Sequence, residues 1–170
     1  MSEIRIRPGV PGDVDVVLGL FDTAIEWLVS RGLEGQWGTE PFSGDEKRVA
    51  RVRGWVDGGG LSIAELDGEP VGAIALTETC PPHVAEVDEP ELYVDLLITS
   101  RSRPRRGVGR ALLDHARAQA RARNIDLLRV DCWAGGDGDL VRYYESQGFV
   151  RTSTFDVRGW IGQVFEQRVR

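Results

Sequence analysis

Hydrophobic residues recur along this chain with two periods, one typical of strands and one typical of helices, and the two alternate from end to end. Segments that alternate between apolar and polar residues, or that are apolar throughout, predict strands. The first strand ends at Pro8, and the turn Asp67-Gly68 joins the second strand to the third as a hairpin. The predicted strands are Ile4–Arg7, Leu61–Leu66, Pro70–Thr77, Leu92–Thr99, Leu127–Trp133, Val150–Val157 and Trp160–Gln167.

Segments whose apolar residues lie three and four positions apart predict helices between these strands. The first covers about Asp13–Arg31, and the second continues from Ser43–Glu46, which has the form of a capping box. A third follows the glycines at positions 107 and 109, and a short fourth covers Leu140–Ser146. The order β-α-α-β-β-β-α-β-α-β-β indicates a mixed sheet with helices on its faces, within a single domain spanning residues 1–170.

Composition limits what such a domain can bind. The formal net charge of −6 and the pI near 5.0 argue against general affinity for nucleic acids or anionic membranes. The two cysteines show no metal-ligand spacing and are too few for a disulfide framework, and no apolar run approaches the roughly 18 residues that span a bilayer. The sequence therefore predicts a cytoplasmic protein with reduced thiols and without a metal, nucleic-acid or membrane partner.

A basic segment with two glycines, Arg105–Ala111, lies between the strand Leu92–Thr99 and the third helix; we call it the phosphate loop. A helix N-terminus presents unbonded N–H groups and the positive end of the helix dipole, so this segment predicts an anion site. Gly107 and Gly109 would let the backbone approach a diphosphate, and the arginines would add charge-assisted contacts. The same residues would also suit a solvated turn, so the motif alone leaves both interpretations open.

Two other phosphate-binding motifs fit this segment poorly. A nucleoside-triphosphate loop needs Lys and then Ser or Thr after its second glycine, and this chain has Arg110 and Ala111 there. A dinucleotide-binding turn needs a third small residue at the position that Leu112 occupies.

Two segments together resemble the GCN5-related N-acetyltransferase (GNAT) superfamily, over nearly the whole chain. Arg106-Gly107-Val108-Gly109-Arg110-Ala111 is similar to the turn that holds the pyrophosphate of acetyl-coenzyme A (acetyl-CoA) in that family. Leu140–Phe149 is similar to the family's Tyr-x-x-x-Gly-Phe segment, whereas Pro104 departs from the Arg or Gln of the first motif position. The resemblance implies a mixed, mostly antiparallel sheet of about seven strands with about four helices, and acetyl-CoA as co-substrate. It implies these cofactor-binding residues: Ile98, Arg105, Arg106, Gly107, Val108, Gly109, Arg110 and Ala111.

Acetyl transfer to an amine needs a proton for the leaving thiolate and a base for the amine. The resemblance places the Tyr144 hydroxyl beside the thioester sulfur, as the acid; a tyrosine that only packs in the core is the alternative interpretation. Glu91 and Asp95 are candidate bases on the strand that lines the family's reaction centre, although solvated carboxylates would look the same in sequence. His83 is a third candidate. Trp37, in a region with several carboxylates, is predicted to line an acceptor pocket suited to a cationic amine.

The sequence therefore predicts an N-acetyltransferase that transfers acetyl from acetyl-CoA directly to a primary amine in a ternary complex. The acceptor, a small molecule or a peptide, is not identified. Two alternatives stay open: an acyltransferase that uses a longer acyl-CoA or an oxygen acceptor, and a non-catalytic acyl-CoA-binding sensor. The oligomeric state is open as well, with a homodimer among the options.

Overall fold

The computed structural model describes residues 3–102 and 106–170. The predicted strands and helices are present in the predicted order. The strands are β1 (Ile4–Pro8), β2 (Leu61–Leu66), β3 (Glu69–Thr77), β4 (Glu91–Thr99), β5 (Leu127–Trp133), β6 (Val150–Val157) and β7 (Trp160–Arg168). The helices are α1 (Asp13–Ser30), α2 (Glu46–Asp57), α3 (Val108–Ala122) and α4 (Asp139–Ser146), and a 3-10 helix that the sequence did not predict covers Phe42–Gly44.

The strands form one sheet in the order β1-β2-β3-β4-β5-β7-β6. The neighbours β1–β2, β2–β3, β5–β7 and β7–β6 are antiparallel. β4 and β5 are parallel, with Glu91–Val94 against Leu127–Val130, and α3 lies in the crossover connection that parallel strands need. This ladder ends at Val94 and Val130, although β4 continues to Thr99 and β5 to Trp133. The predicted mixed, mostly antiparallel sheet with helices is therefore confirmed.

The chain divides into two compact units. The first unit spans Met1–Ala75 and Leu96–Leu113, and the second unit spans Leu76–Asp95 and Asp114–Arg170. The single domain expected for residues 1–170 stays a prediction. Among the helices in the described ranges, none has both the length and the apolar composition needed to cross a membrane.

In the first unit, α1 and α2 bury their apolar stripes in one core. Val17 and Phe21 of α1 and Val52 of α2 are almost inaccessible and share this core with Ile63 of β2 and Ala73 of β3. Apart from Asp13 at the start of α1, the charged residues of both helices are exposed or only partly buried, as the helical spacing predicts. Burying these stripes is the main source of stability for helices of this length.

An ion pair joins β1 to the start of α1. Asp13 is buried and accepts two hydrogen bonds from the Arg7 guanidinium, at 2.8 and 2.9 Å, and one from the Val10 N–H at 2.8 Å. The Arg7 guanidinium lowers the pKa of the Asp13 carboxyl, because hydrogen bonds to the charged form stabilise it. The chain direction between the first strand and the first helix is therefore set by a charged contact.

The start of α2 differs from the predicted capping box. Its N-cap is Asp45, whose carboxylate accepts hydrogen bonds from the N–H groups of Lys47 at 2.9 Å and Arg48 at 3.3 Å. Ser43 lies in the preceding 3-10 helix and donates its hydroxyl to Asp22 at 2.7 Å. The predicted cap residue was therefore wrong, because Asp22 engages Ser43 and a strong capping residue stands directly before the helix.

In the second unit, β5 and β7 carry the central apolar residues. Leu128 and Val130 of β5 and Phe165 of β7 are almost inaccessible, and the ring of Tyr144 on α4 packs 5.6 Å from that of Phe165. Arg129, between the two apolar residues of β5, is buried as well. A buried guanidinium needs a partner, and it has one in β4, described below.

Candidate functional site

The phosphate loop and the first turn of α3 belong to the first unit. Gly107 has a φ of +74°, and a Cβ added to it would meet no atom within 4 Å. The Ala111 N–H donates to the Gly107 carbonyl at 3.0 Å, which makes Gly107 the residue that precedes the helix. The N–H groups of Val108, Gly109 and Arg110 have no carbonyl four residues earlier within the helix to accept them. Open space beside a glycine, followed by N–H groups that have no partner within the helix, is an arrangement that suits a diphosphate.

The side chains around this loop divide into two groups. Arg106 and Arg110 are exposed and available to an anion, whereas the predicted contact Arg105 lies outside the described residues. Val108 is buried, so its contribution to an anion site is its backbone N–H. Ile98, at the end of β4, is also buried and packs in the core of the first unit. Its assignment as a cofactor contact stays a prediction.

Gly72 of β3 sets the position of the first turn of α3. A Cβ at Gly72 would lie 2.8 Å from the Val108 Cγ1, 2.9 Å from the Ile98 carbonyl oxygen and 3.1 Å from the Leu112 Cδ1. Distances this short leave no room for a side chain, so the helix packs directly on the strand backbone. The N–H groups in the first turn of α3, which have no partner within the helix, are therefore held against the strand backbone.

Arg101 is a basic residue of the first unit that motif analysis did not single out. Its guanidinium carbon lies 3.7 Å from the centroid of the Trp27 ring, and that of Arg31 lies 5.2 Å from the same ring. Desolvation at this position, together with the charge of Arg31, lowers the pKa of Arg101. The partner of Arg101 is an aromatic face 74 residues away, so no local pattern could indicate it.

Tyr144, the predicted acid, lies in the second unit. Its ring is buried between Phe149, at 5.8 Å, and Phe165, at 5.6 Å, and the Phe149 N–H donates to the Tyr144 carbonyl. Burial raises the pKa of Tyr144 well above 10, and nearby Cys132, Tyr143 and Asp131 raise it further. The phenol therefore stays protonated at neutral pH, as an acid must and a base must not.

Tyr143 is the neighbour that could be confused with the acid. It is half-buried, and its ring meets that of Tyr144 edge to face at 5.4 Å. Burial raises the pKa of Tyr143 as well. Consecutive helical residues point about 100° apart, so the two hydroxyls cannot serve the same atom.

Of the two predicted bases, Glu91 forms a buried ion pair. Its carboxylate accepts a hydrogen bond from the Arg129 guanidinium at 3.0 Å, and both side chains are less than a tenth exposed. Arg129 also donates to the Ala85 carbonyl at 3.1 Å and so ties the loop before β4 to the sheet. A carboxylate that balances a buried guanidinium is a weak candidate for a base. The assignment of Glu91 stays a prediction.

Asp95 lies two residues beyond Tyr93 on β4 and is half-buried. The Tyr93 hydroxyl donates a hydrogen bond to the Asp131 carboxylate of β5, and the charge of Asp95 acts on the same hydroxyl. Sequence reasoning missed Tyr93 and Asp131. The available signal was the alternation of polar residues in two otherwise apolar strands, at 91, 93 and 95 and at 129 and 131.

His83, the third candidate base, lies on the surface of the second unit. It is exposed, and its ring lies 4.5 Å from that of Phe155. The ring contact of this exposed imidazole is with an aromatic side chain. Its catalytic role also stays a prediction.

Trp37 belongs to an aromatic group in the first unit. Its ring packs edge to face on Phe21 at 5.0 Å, and Phe42 stacks on Phe21 at 4.0 Å. Asp22 anchors the segment by accepting the Phe42 N–H at 2.7 Å. Arg48 lies over the Phe42 ring at 3.9 Å and donates to the Trp37 carbonyl at 3.4 Å. Trp37 is therefore half-buried against other aromatic side chains, and its contact with an acceptor stays a prediction.

Comparisons with known proteins address the family and the fold of this chain. The model of the acetyltransferase (GNAT) family matches residues 30–149, more than half of the chain, whereas no curated protein sequence matches it. An acetyltransferase of the GNAT family from Listeria monocytogenes has a TM-score of 0.74 at 19% identity, covering 97% of this chain and 94% of that one. A ribosomal-protein-alanine N-acetyltransferase from Brucella melitensis has a TM-score of 0.68 at 18% identity, covering 96% and 99%.

A third structure, yncA from Salmonella typhimurium with its cofactor acetyl-CoA, has a TM-score of 0.66 at 14% identity, covering 98% of this chain and 94% of that one. At these identities the solved structures show a shared fold. The family model spans both the phosphate loop and the segment Leu140–Phe149, the two motifs on which the sequence resemblance rests. This chain therefore belongs to the GNAT acetyltransferase family.

Proposed function

We propose that this protein is an N-acetyltransferase that moves the acetyl group of acetyl-CoA directly to a primary amine, in a ternary complex. The observation that carries the proposal is the phosphate loop at the start of α3. Gly107 adopts a left-handed φ with open space beside it, and the next N–H groups lack helical partners. These features fit the diphosphate of acetyl-CoA, which supplies the reactive thioester when bound.

The residues of the phosphate loop would hold the diphosphate in two ways. The N–H groups of Val108, Gly109 and Arg110 would donate to its oxygens, at the positive end of the helix dipole. The exposed Arg106 and Arg110 side chains would add charge-assisted hydrogen bonds. Backbone donors fixed by a rigid helix start need little reorganisation on binding.

Tyr144 would protonate the departing thiolate. Because a thiol has a much lower pKa than the buried phenol, the sulfur is the weaker base of the two. It therefore takes the Tyr144 proton only as negative charge develops on it. The raised pKa of Tyr144 keeps its proton in place until then. Its rigid packing between Phe149 and Phe165 would hold the hydroxyl in one orientation.

The amine side requires a base and a pocket. An aliphatic ammonium has a pKa of about 10.4, so only a small fraction of the acceptor is nucleophilic at neutral pH. Asp95 is the better of the two predicted bases because Glu91 is engaged by Arg129. We assign Trp37 to the acceptor side on the basis of its half-buried ring among aromatic neighbours.

Two measurements test the proposal. Calorimetric titration should show acetyl-CoA binding to the wild type and a loss of affinity of about a hundredfold or more in Gly109→Val, which removes two or three charge-assisted hydrogen bonds. Gly19→Val, in α1 where an added side chain meets no atom within 4 Å, is the matched control. Unchanged affinity in a folded Gly109→Val protein would overturn the cofactor assignment.

The second measurement separates enzyme from sensor. Release of free thiol is followed with a panel of polyamines, amino acids, aminoglycosides and peptides as acceptors, and with longer acyl-CoA donors. An enzyme shows thiol release that depends on an acceptor, and the fastest pair identifies the substrate class. Acetyl-CoA binding without release for any member would favour the sensor.

A further inference from the structure

The polar residues of β4 and β5 stand side by side in the second unit. Tyr93 pairs with Arg129 in the parallel ladder, and Val94 pairs with Val130 as its last step. Asp95 and Asp131 are the next residues on the two strands, where the ladder has ended. Because residues two apart on a strand share a face, Asp95 and Asp131 lie on the face of Tyr93 and Arg129.

Tyr93 gives this pair of strands a fixed donor. Its side chain is completely buried, and its hydroxyl donates to the Asp131 Oδ2. Burial, followed by the charge of Asp131, raises the pKa of Tyr93 far above its usual value, so the phenol stays neutral and keeps donating. A hydrogen bond donated to a carboxylate favours its charged form, so Tyr93 holds Asp131 as an oriented anion.

The charge of Asp131 also reaches the proposed acid. Desolvation is the main cause that raises the pKa of Tyr144 on α4, and the charge of Asp131 is the smallest of the causes that add to it. Desolvation and then the charge of Asp131 raise the pKa of the buried Cys132 to about 12. Tyr144 packs on Phe165, the register partner of Val130, so Tyr144 and Asp131 lie on opposite faces of the sheet, next to the end of the β4–β5 ladder. A carboxylate kept charged and a phenol kept neutral are the two protonation states that a base and an acid need at one pH.

We propose that Asp131 is the general base for the acceptor amine and that Tyr93 is the residue that positions it. This inference rests on the proposed acetyl transfer. It assigns the base to a strand that the sequence analysis did not consider. Asp95, beside it, then contributes negative charge to the acceptor side without taking the proton.

With Asp131 as the base and Tyr144 as the acid, the bonds and protons of the reaction balance. The neutral amine attacks the thioester carbonyl carbon and forms the C–N bond, which makes the nitrogen positively charged and far more acidic. Asp131 takes one proton from that nitrogen. As the C–S bond breaks, the sulfur keeps the electron pair and takes the Tyr144 hydroxyl proton. Water returns a proton from Asp131 to Tyr144, so one amine and one thioester give one amide and one thiol.

The groups that face Asp131 bear on its pH dependence. On its own strand this is Arg129, two residues earlier, whereas the buried thiol of Cys132 lies on the opposite face. β4 contributes the Tyr93 hydroxyl, with Asp95 acting on that hydroxyl. On β7 its register partner is the apolar Val164, and Glu166, two residues further on, pairs with Arg129. Removing the Tyr93 hydroxyl takes away the hydrogen bond that favours the charged carboxylate.

The test compares variants with the acceptor and the donor that the wild type uses best. Asp131→Asn, which can still accept a hydrogen bond from Tyr93, should lower kcat by about 10²–10⁴ while acetyl-CoA affinity changes less than about threefold.

The other variants test the positioning role and serve as controls. Tyr93→Phe should move the acidic limb of the kcat–pH profile to higher pH, and Asp131→Glu should recover part of the rate. Asp95→Asn should raise KM more than it lowers kcat, and the exposed Asp57→Asn should behave as wild type.

The outcomes separate this inference from the function on which it rests. If the wild type transfers acetyl and Asp131→Asn keeps its kcat, Asp131 is not the base. An unmoved acidic limb in Tyr93→Phe would remove the positioning role. A wild type that binds acetyl-CoA and transfers to no acceptor would overturn the proposed function, and this inference with it. If Asp131→Asn fails to fold, Tyr93→Phe and Asp131→Glu decide together, because an acidic limb that stays at the wild-type pH in both variants would contradict the proposal.

Discussion

Tyr144 carries the sharpest chemical expectation of any single residue in this chain. Its hydroxyl is proposed to protonate the thiolate, and its ring is part of the buried packing with Phe149 and Phe165. Tyr144→Phe keeps the ring and removes the proton. It should lower kcat by about 10²–10⁴ and leave acetyl-CoA affinity nearly unchanged.

The control for this prediction is one residue away. Tyr143→Phe removes a half-buried hydroxyl of raised pKa that points elsewhere, and it should cost less than about tenfold in kcat. Steady-state kinetics of both variants, under conditions where the chemical step limits the rate, measure the two losses of kcat. Wild-type turnover in Tyr144→Phe would make Tyr144 a core residue, and equal losses in both variants would indicate a packing effect.

Individual residues also show where sequence reasoning reaches its limit. Tyr144 could be singled out because its motif is local: a helix, a glycine and an aromatic residue within a few positions. Glu91 could not be judged in the same way, since its partner Arg129 is 38 residues away. Charge in a strand is visible in sequence, and the group that neutralises it is not.

At the scale of elements, the junction of β1 and α1 gives a prediction about stability. Asp13 accepts three hydrogen bonds there, and its side chain is 4% exposed against 34% for Arg7. Asp13→Ala should lower the free energy of unfolding by about 2–3 kcal/mol, less than for a fully buried pair because Arg7 stays partly solvated. Urea titration measures the change, and Asp57→Ala on the exposed end of α2 should change it by less than about 0.5 kcal/mol.

The same junction predicts a pH dependence. The Arg7 guanidinium lowers the folded-state pKa of Asp13, so the stabilisation is present above the ordinary Asp pKa of about 4. It is lost as the pH falls through the lower folded-state value. Below about pH 4, the unfolding free energy of the wild type should therefore fall more steeply than that of Asp13→Asn. Parallel curves for the two proteins would contradict the role of this ion pair.

The contact between β3 and α3 predicts a coupling between packing and ligand affinity. Gly72→Ala would place a methyl group 2.9 Å from the Ile98 carbonyl oxygen, which cannot move without moving β4. We expect a loss of about 1–3 kcal/mol of stability and a weaker affinity for acetyl-CoA, because the first turn of α3 must shift. Gly54→Ala, in open space on α2, should be neutral or stabilising. Full affinity in Gly72→Ala would show that this helix start is not rigidly placed.

At the scale of the whole molecule, the net charge and the charge of the phosphate loop have opposite effects on the binding of an anion. The protein carries a net charge of −6, yet its proposed ligand is an anion that binds beside Arg106 and Arg110. Nearby charges outweigh distant ones because salt screens interactions beyond about 8–10 Å. Acetyl-CoA affinity should therefore fall as ionic strength rises.

Calorimetric titration over a salt series tests this balance. Arg106→Gln and Arg110→Gln should each lower affinity by about three- to tenfold at low salt and flatten the salt dependence. The exposed Arg53→Gln on α2 should do neither. An affinity that rises with salt would mean that the net charge dominates, and the phosphate loop would lose its electrostatic role.

The sequence by itself determined the order of strands and helices, and its motifs singled out the phosphate loop and the candidate acid, which stay predictions. Each of these depends on a local cause: the period of apolar residues, the turn chemistry of glycine, or a motif that spans a few positions. Boundaries were correct to within a residue or two, as in β4, which starts at Glu91 rather than Leu92. The cap of α2 was wrong because Asp22, twenty-one residues away, engages Ser43.

Only the tertiary structure decided which polar side chains meet. The parallel register of β4 and β5 brings Glu91 to Arg129 and Tyr93 to Asp131, and it ends before Asp95 and Asp131. A shift of one residue would send these side chains to opposite faces, and nothing in either strand alone specifies the alignment. Ion pairs, hydrogen bonds and pKa values depend on separation in space, so they follow from the register of the strands, which the packing of the whole sheet determines.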